Sequence, residues 1–323
     1  MTGRAPLAAA FRLAWSGADP GPTDHTARPP AALTAARPVP LPREGSGPGA
    51  LLALSLAADP DRTVGGVALR RVPSAGGRYP VDARVGGRVY DPLAHALDDG
   101  PGPPAQPVVL TLAPQRTRWR YGPRSLPVLL LDLGHAAAAV LAAAATLGTA
   151  LRAHLVPAGE TTRVELTAGS APAGSVPLGD PGPAHPAAVL HARRSTPFGL
   201  LGPGSGEIPP SVPAAAAARL GPGQHAAVLP AGHPLLPALT GRACGHPDLT
   251  AVAGLLVVTG DADPGPDTVA QHVRAGLGVH DAWLAATAAG AGARPVGCWV
   301  EAVLRGPGGR GRVQHALALG APP

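Results

Sequence analysis

The sequence predicts an α+β protein built from two related halves. Two long Ala-rich apolar stretches, residues 126–147 and 267–289, have helical length and end near glycine. Each follows a short, mainly apolar run of strand length, Val108 to Leu112 and Gly254 to Thr259, and each is followed by further strand-like segments. The same order therefore occurs twice, with a Gly/Pro cluster at Gly179 to Pro186 between the copies.

Composition narrows the chemistry. Among 323 residues, 44 Gly and 42 Pro would ordinarily suggest low complexity, but there is no Lys, no Asn and a single Ile, the bias of a GC-rich coding sequence. Hydrophobic residues reach 45% with only 3% aromatic, so a core must be packed from Ala, Leu and Val. Without lysine, P-loop NTPases, kinases, lysine Schiff bases and pyridoxal phosphate attachment are excluded. All 26 basic residues are then Arg, and the net charge of +6 suits an anionic cofactor or an acidic peptide, or simply a solvated basic surface. Cys244 and Cys298 are too few for a disulfide scaffold, the N-terminal stretch is too interrupted for a signal peptide, and no run of about 18 uncharged apolar residues offers a membrane span. The expectation is a cytoplasmic protein.

Along the chain, residues 1–50 lack sustained periodicity and read as a partly irregular arm. A first domain over 51–186 begins with a helical stretch at Leu51 to Ala58, continues through strands at Val81 to Val85, Arg88 to Tyr90 and Val108 to Leu112, and has a Pro/Gly link at 100–107. The helix at 126–147 stops at Gly148 and leads to a strand at Leu151 to Val156. A second, more divergent domain over 187–323 has an Ala helix at 213–219, the strand Gly254 to Thr259, the helix at 267–289, and strands at Val296 to Leu304 and Val313 to Leu319.

The densest turn chemistry is Arg70-Arg71-Val72-Pro73-Ser74-Ala75-Gly76-Gly77-Arg78-Tyr79-Pro80. Pro73 fixes φ, Ser74 offers a hydroxyl, and Gly76 and Gly77 let backbone approach a planar ligand. An ordinary tight turn before a strand has the same composition. All three tyrosines, Tyr79, Tyr90 and Tyr121, fall in one window of the chain, which favours a site.

Four motifs in order, Pro-Ser-Ala-Gly-Gly-x-Tyr-Pro at 73–80, Val89-Tyr90-Asp91-Pro92-x-x-His95-x-Leu97, Trp119-Arg120-Tyr121-Gly122-x-Arg124, and Leu131-Asp132-x-Gly134-His135, resemble the nitroreductase superfamily. More narrowly, they are similar to SagB-type azoline dehydrogenases. The resemblance spans about residues 50–185; beyond it, Arg193-Arg194-Ser195 and Ala318-Leu319-Gly320 resemble the two ends of a nitroreductase domain. It implies a nitroreductase-like fold in two tandem copies, folded as an intrachain pseudo-dimer around FMN. The implied activity is oxidation of thiazoline or oxazoline rings to thiazole or oxazole. Its substrate would be an azoline-bearing precursor peptide, its partner the pathway's cyclodehydratase, and molecular oxygen the acceptor, with no nucleic acid or membrane involved; a homodimer of pseudo-dimers is compatible with it. Other nitroreductase-type chemistry, on quinones or nitro compounds, and a flavin-free peptide-binding scaffold stand as alternatives.

By the same resemblance, Arg193, Arg194 and Ser195 hold the phosphate while Pro73, Ser74, Ala75, Gly76 and Gly77 meet the cofactor from the opposite half, giving one FMN per chain. A linker reading of Arg193 and Arg194 remains open. The family's pattern has a Lys-Tyr pair where this chain has Arg120 and Tyr121. Arg is no base at a pKa above about 12, so Tyr121 takes the ring proton, with Arg120 favouring the tyrosinate, and hydride passes to the flavin. Tyr121 as a half-buried structural residue is the competing reading.

Other features carry less. Arg116, Arg118 and Arg120 at period two read as one face of a strand, solvated or meeting an acidic peptide, rather than a nucleic-acid stripe. The intervals among His225, His233, Cys244 and His246 fit no usual zinc pattern, so no metal is expected. His135 is assigned to packing or helix–helix hydrogen bonding, and Cys298 to the core of an apolar strand. Gly306 to Gly311 satisfies G-x-G-x-x-G but reads as a hairpin loop. No Gly-x-Ser-x-Gly supports a serine hydrolase.

Overall fold

The computed structural model describes residues 4–17, 30, 32, 34, 37–64, 66–100, 107–157, 162–203, 207–244, 246, 248–305 and 311–320. Most of the expected 100–107 link and of the Gly306 loop lies outside them. The chain opens with α1 (Arg4–Trp15) and β1 (Pro38–Pro40), followed by α2 (Pro48–Ser55) and the paired strands β2 (Ala58–Val64) and β3 (Val67–Arg70). Next come β4 (Val81–Val85), β5 (Arg88–Asp91), β6 (Ala96–Asp98) and β7 (Val108–Leu112). Two helices, α3 (Pro114–Tyr121) and α4 (Ser125–Thr146), lead to β8 (Arg152–Val156), β9 (Arg163–Thr167) and β10 (Val176–Gly179).

The remainder holds α5 (Ala187–Ala192), α6 (Ser211–Ala217), β11 (His225–Pro230), α7 (Leu236–Thr240) and β12 (Gly254–Gly260). It ends with α8 (Thr268–Ala288), β13 (Ala293–Val296), β14 (Val303–Leu304) and β15 (Gly311–Leu319).

Strand order makes the internal correspondence visible. One sheet runs β1-β6-β5-β4-β7-β9-β8-β10 and the other β11-β12-β15-β13, with β14 also on β15. Within the first, β4-β7-β9-β8 is antiparallel throughout, as is β11-β12-β15-β13. In both, a long helix follows the second strand of the run, and the last strand in sequence inserts beside that second strand.

The two long helices pack on one another because small residues let their backbones meet. A Cβ on Gly134 would run into the Val273 carbonyl oxygen and lie 2.9 Å from Gly276 Cα, and one on Gly276 would strike the Leu131 carbonyl. α4 is long and apolar enough to cross a membrane, but around this crossing it is buried almost end to end, so its apolar sequence belongs to the core. The helix stops where expected, at Gly148 with φ +68°.

Several expectations are corrected. The N-terminal arm contains α1, whose Phe11 and Trp15 are buried with ring centroids 5.0 and 5.8 Å from that of His272 on α8. Residues 114–121 form a helix rather than a strand, started by Pro114 at its first turn. The expected strand at 296–304 is two short strands, and between them Cys298 is joined to Cys244 in a disulfide.

Candidate active site

The glycine turn is held from beneath by a buried carboxylate. Asp132, on the inward face of α4, accepts from the Ser74 hydroxyl at 3.0 Å and from the Ala75 N–H at 3.1 Å. Ser74 Oγ in turn accepts from Tyr79 N–H at 2.7 Å, and Gly77 N–H donates to Ser74 O. The Ser74 hydroxyl and the Ala75 amide, expected to face a cofactor, are thus already engaged within the turn. Tyr79 accepts the positive φ of +49° that this geometry demands, with its hydroxyl receiving the Arg70 N–H.

The end of α3 abuts the same turn. Gly76, at φ +58°, lies so close that an added Cβ would sit 2.9 Å from Arg120 Cδ and 3.2 Å from the Tyr121 hydroxyl. Arg78 spans the gap by stacking its guanidinium 4.9 Å from the Trp119 ring. Arg116 of the same segment has a separate duty. It is buried and binds Asp82 with both terminal nitrogens, at 2.7 and 3.1 Å, which anchors α3 to β4. Tyr90, the third tyrosine, hydrogen-bonds His95 in the core and takes no part.

Electrostatics revise the role of Tyr121. Burial raises its pKa, the Asp132 charge raises it further, and Arg120 only partly offsets them. Arg120 therefore does not yield a tyrosinate, and the phenol keeps its proton at neutral pH. Asp132 is the group with a titration near neutrality. Desolvation pushes its carboxyl up to about 7 against the pull of the Ala75 and Ser74 donors.

From the other half comes Arg193, just after α5. Its side chain is buried, stacks 4.5 Å from the Trp283 ring and has no carboxylate within ion-pair distance among the described residues. Burial foremost, then the neighbouring Arg71, lowers its pKa to about 9. Arg71 itself, two residues before Pro73, reaches back to the His191 carbonyl at 3.4 Å. Arg71, Arg193, His280 and Ser55, together with apolar side chains of α2, α4, α5 and α8, line a cavity of about 10 Å³, room for one water. Arg194 and Ser195 are exposed and do not join it. A wider cleft of about 300 Å³, lined by Arg12, Trp15, Asp263, Glu301 and Arg312 among others, lies between α1 and the second sheet.

Thus Pro73–Gly77, Arg120 and Tyr121 come together, Arg193 approaches them through Arg71, and Arg194 and Ser195 stand apart. Sequence reasoning quoted Asp132 and Arg71 within motifs without giving either a role, and did not reach His280. A signal existed for the first: an acidic residue on an otherwise apolar helix must be satisfied by something.

Over its full length the chain superposes on a protein of Anabaena variabilis assigned as a nitroreductase, with a TM-score of 0.71, 14% identity, and 98% of this chain and 99% of that one covered. The fold is that of the nitroreductases. A nitroreductase of Bacteroides fragilis with bound FMN aligns over 42% of this chain and 87% of its own, at 15% identity and a TM-score of 0.31, too partial a likeness to add to this. No family model and no curated protein matches the chain.

On the nitroreductase fold, the two halves are not equivalent around the crossing. With Gly134 set against Gly276, Asp132 and Arg274 hold matching positions, two residues before each glycine. Asp132 binds the turn before β4. Arg274 instead lies against Gly221, in the Gly-Pro-Gly-Gln turn before β11, and donates to Pro177 O at 2.9 Å. The Ser74-type turn with its carboxylate occurs at the first position only.

Proposed function

We propose that this protein is an FMN-dependent azoline dehydrogenase, folded as an intrachain pseudo-dimer with one flavin site. Arg193, buried beside half-buried Arg71 with no carboxylate within ion-pair distance among the described residues, is the observation that carries the reading, because a desolvated guanidinium with a second one next to it calls for an anion such as a phosphate. The donor chemistry fits FMN at this end. Half-buried Arg71 is the wall that must move to admit more than the one water the cavity holds. Arg193 and Arg71 would hold the phosphate, and Pro73–Gly77 would meet the ring system with the Gly76 N–H. FMN held there would supply the two-electron acceptor for oxidation of the azoline, with oxygen as the final acceptor. Thiazoline or oxazoline in a precursor peptide is supported by the four motifs between 73 and 135, with a cyclodehydratase supplying the substrate in the cytoplasm.

The chain's own residues then handle the ring proton. Ser74 Oγ has a second lone pair; taking the proton there, it passes its own to ionised Asp132, which titrates close to neutrality. Tyr121, still protonated, donates a hydrogen bond that orients the substrate, and exposed Arg120 beside it contacts the peptide.

Two measurements test this. Purified protein is expected to release about one FMN per chain on denaturation and to consume oxygen with an azoline peptide; two FMN per chain would refute the single site, NAD(P)H-driven quinone reduction would point to the other nitroreductase chemistry, and colourless protein with peptide affinity to the scaffold reading. Tyr121→Phe is expected to keep its flavin and lose about 10²-fold in kcat. Full activity in that variant removes Tyr121 from the reaction. In kcat against pH, the limb near pH 7 belongs to Asp132 and should disappear in Asp132→Asn; a limb that survives the substitution assigns the proton elsewhere.

A further inference from the structure

Three buried histidines outside the proton-transfer steps above form a chain with only one consistent arrangement of protons. The Val296 carbonyl can only accept, so His315, 3.1 Å away through Nδ1, carries its proton there. Its Nε2 is therefore bare and accepts from His135 Nε2–H at 2.8 Å. That leaves His135 Nδ1 as an acceptor, and the proton on His280 Nδ1, 3.3 Å away, fills it. At the far end His280 Nε2 is unprotonated and accepts no hydrogen bond among the described residues, while the ring is 1% exposed and lines the Arg71–Arg193 cavity. Burial, with Arg193 nearby, holds His135 and His280 well below the ordinary imidazole range, so all three rings are neutral and the order of protons is kept.

We propose that His280 is a ligand-binding residue whose Nε2 accepts a hydrogen bond from a hydroxyl next to the anionic group held by Arg71 and Arg193. The ligand class is a polyol phosphate. Two guanidiniums alone would take any small anion; a fixed acceptor lining the same cavity selects one with a hydroxyl donor attached, and penalises a ligand offering only acceptors there. This rests on the FMN reading, in which the ribityl hydroxyls adjoin the phosphate. His135 and His315 are positioning residues: they do not reach the ligand but keep the proton off His280 Nε2.

Nitrogen NMR of the ¹⁵N-histidine-labelled full chain tests this without requiring any variant to fold. Free protein is expected to show His280 as the neutral Nδ1–H tautomer, and added FMN to move its Nε2 resonance, while inorganic phosphate leaves it in place. His280→Phe should weaken FMN binding about tenfold, and His280→Gln, which retains an acceptor, only about two- to threefold. His315→Phe should redistribute the His280 tautomers and weaken FMN in step. FMN bound with the His280 nitrogen unmoved, a protonated Nε2 in the free protein, or a fully binding His280→Phe each overturn the assignment and leave the flavin reading standing. Failure of the parent protein to bind FMN overturns both.

Discussion

Gly134→Ala is expected to destabilise the protein by about 3 kcal/mol, the upper part of the usual range for overpacking. In an ordinary helix interior the same change stabilises by about 1 kcal/mol, since Ala restricts the unfolded chain and favours helix. The sign reverses here because the neighbours are backbone. The new methyl would meet the Val273 carbonyl oxygen and lie 3.0 Å from Leu277 N, and neither can rotate away as a side chain could. α4 and α8 must move apart, loosening the packing of Leu130, Leu133, Val273 and Leu277, all buried in the same core cluster. Gly276→Ala should behave alike. Once one methyl has separated the helices the second has room, so the double variant should be less destabilised than the two single effects combined, by about 1 kcal/mol. Urea midpoints at unchanged slope measure all three. A stabilising or neutral Gly134→Ala would mean the crossing is looser than described.

The crossing also separates what sequence could reveal from what it could not. α4, α8, β7 and β12 were legible because their signals are local: mainly apolar runs, Ala-rich helical stretches, and glycine where the helix must stop. The order of elements in the two halves followed from them, and the nitroreductase-like expectation from four short motifs. α1 was not legible, since only packing on His272, far along the chain, makes Phe11 and Trp15 core residues. α3 was misread because Arg116, Arg118 and Arg120 alternate like a strand face. Pro114 was the opposing local clue, but the Asp82 partner that buries Arg116 sits 34 residues earlier.

Within the site, the turn and Tyr121 were found from composition, whereas their electrostatics were not. The Asp132 bond to Ser74 spans 58 residues, and the His135 contacts span 145 and 180. Titration depends on such three-dimensional neighbours and on burial, which no local pattern encodes. That is why an adjacent Arg suggested a tyrosinate that the folded chain opposes.

The same buried imidazoles make stability fall in acid. His272 and His315 have pKa values lowered to about 4 from 6.5, chiefly by burial, so as pH drops through 6.5 the unfolded chain takes up protons that the folded protein refuses. The stability is full above pH 6.5 and is lost down to about pH 4, with about 3 kcal/mol at stake for each at 1.36 kcal/mol per pH unit. His135 and His280, also depressed, act in the same direction. Asp132 opposes them: its folded value of about 7 against 3.8 means the folded state gains a proton first, returning about 4 kcal/mol over the same fall. The histidines outnumber it, so Tm should drop from pH 7 to pH 4. His272 is the clean probe, because among the described residues its Nδ1 bonds only the Thr268 carbonyl and its buried Nε2 has no partner. His272→Phe should therefore raise Tm even at pH 7, by removing an unsatisfied nitrogen beside Phe11 and Trp15, and should flatten the acid limb by about 3 kcal/mol. Asp132→Asn should steepen that limb. Thermal melts across this range decide the matter, and an acid limb unchanged in His272→Phe would show that this imidazole is protonated in the folded protein after all.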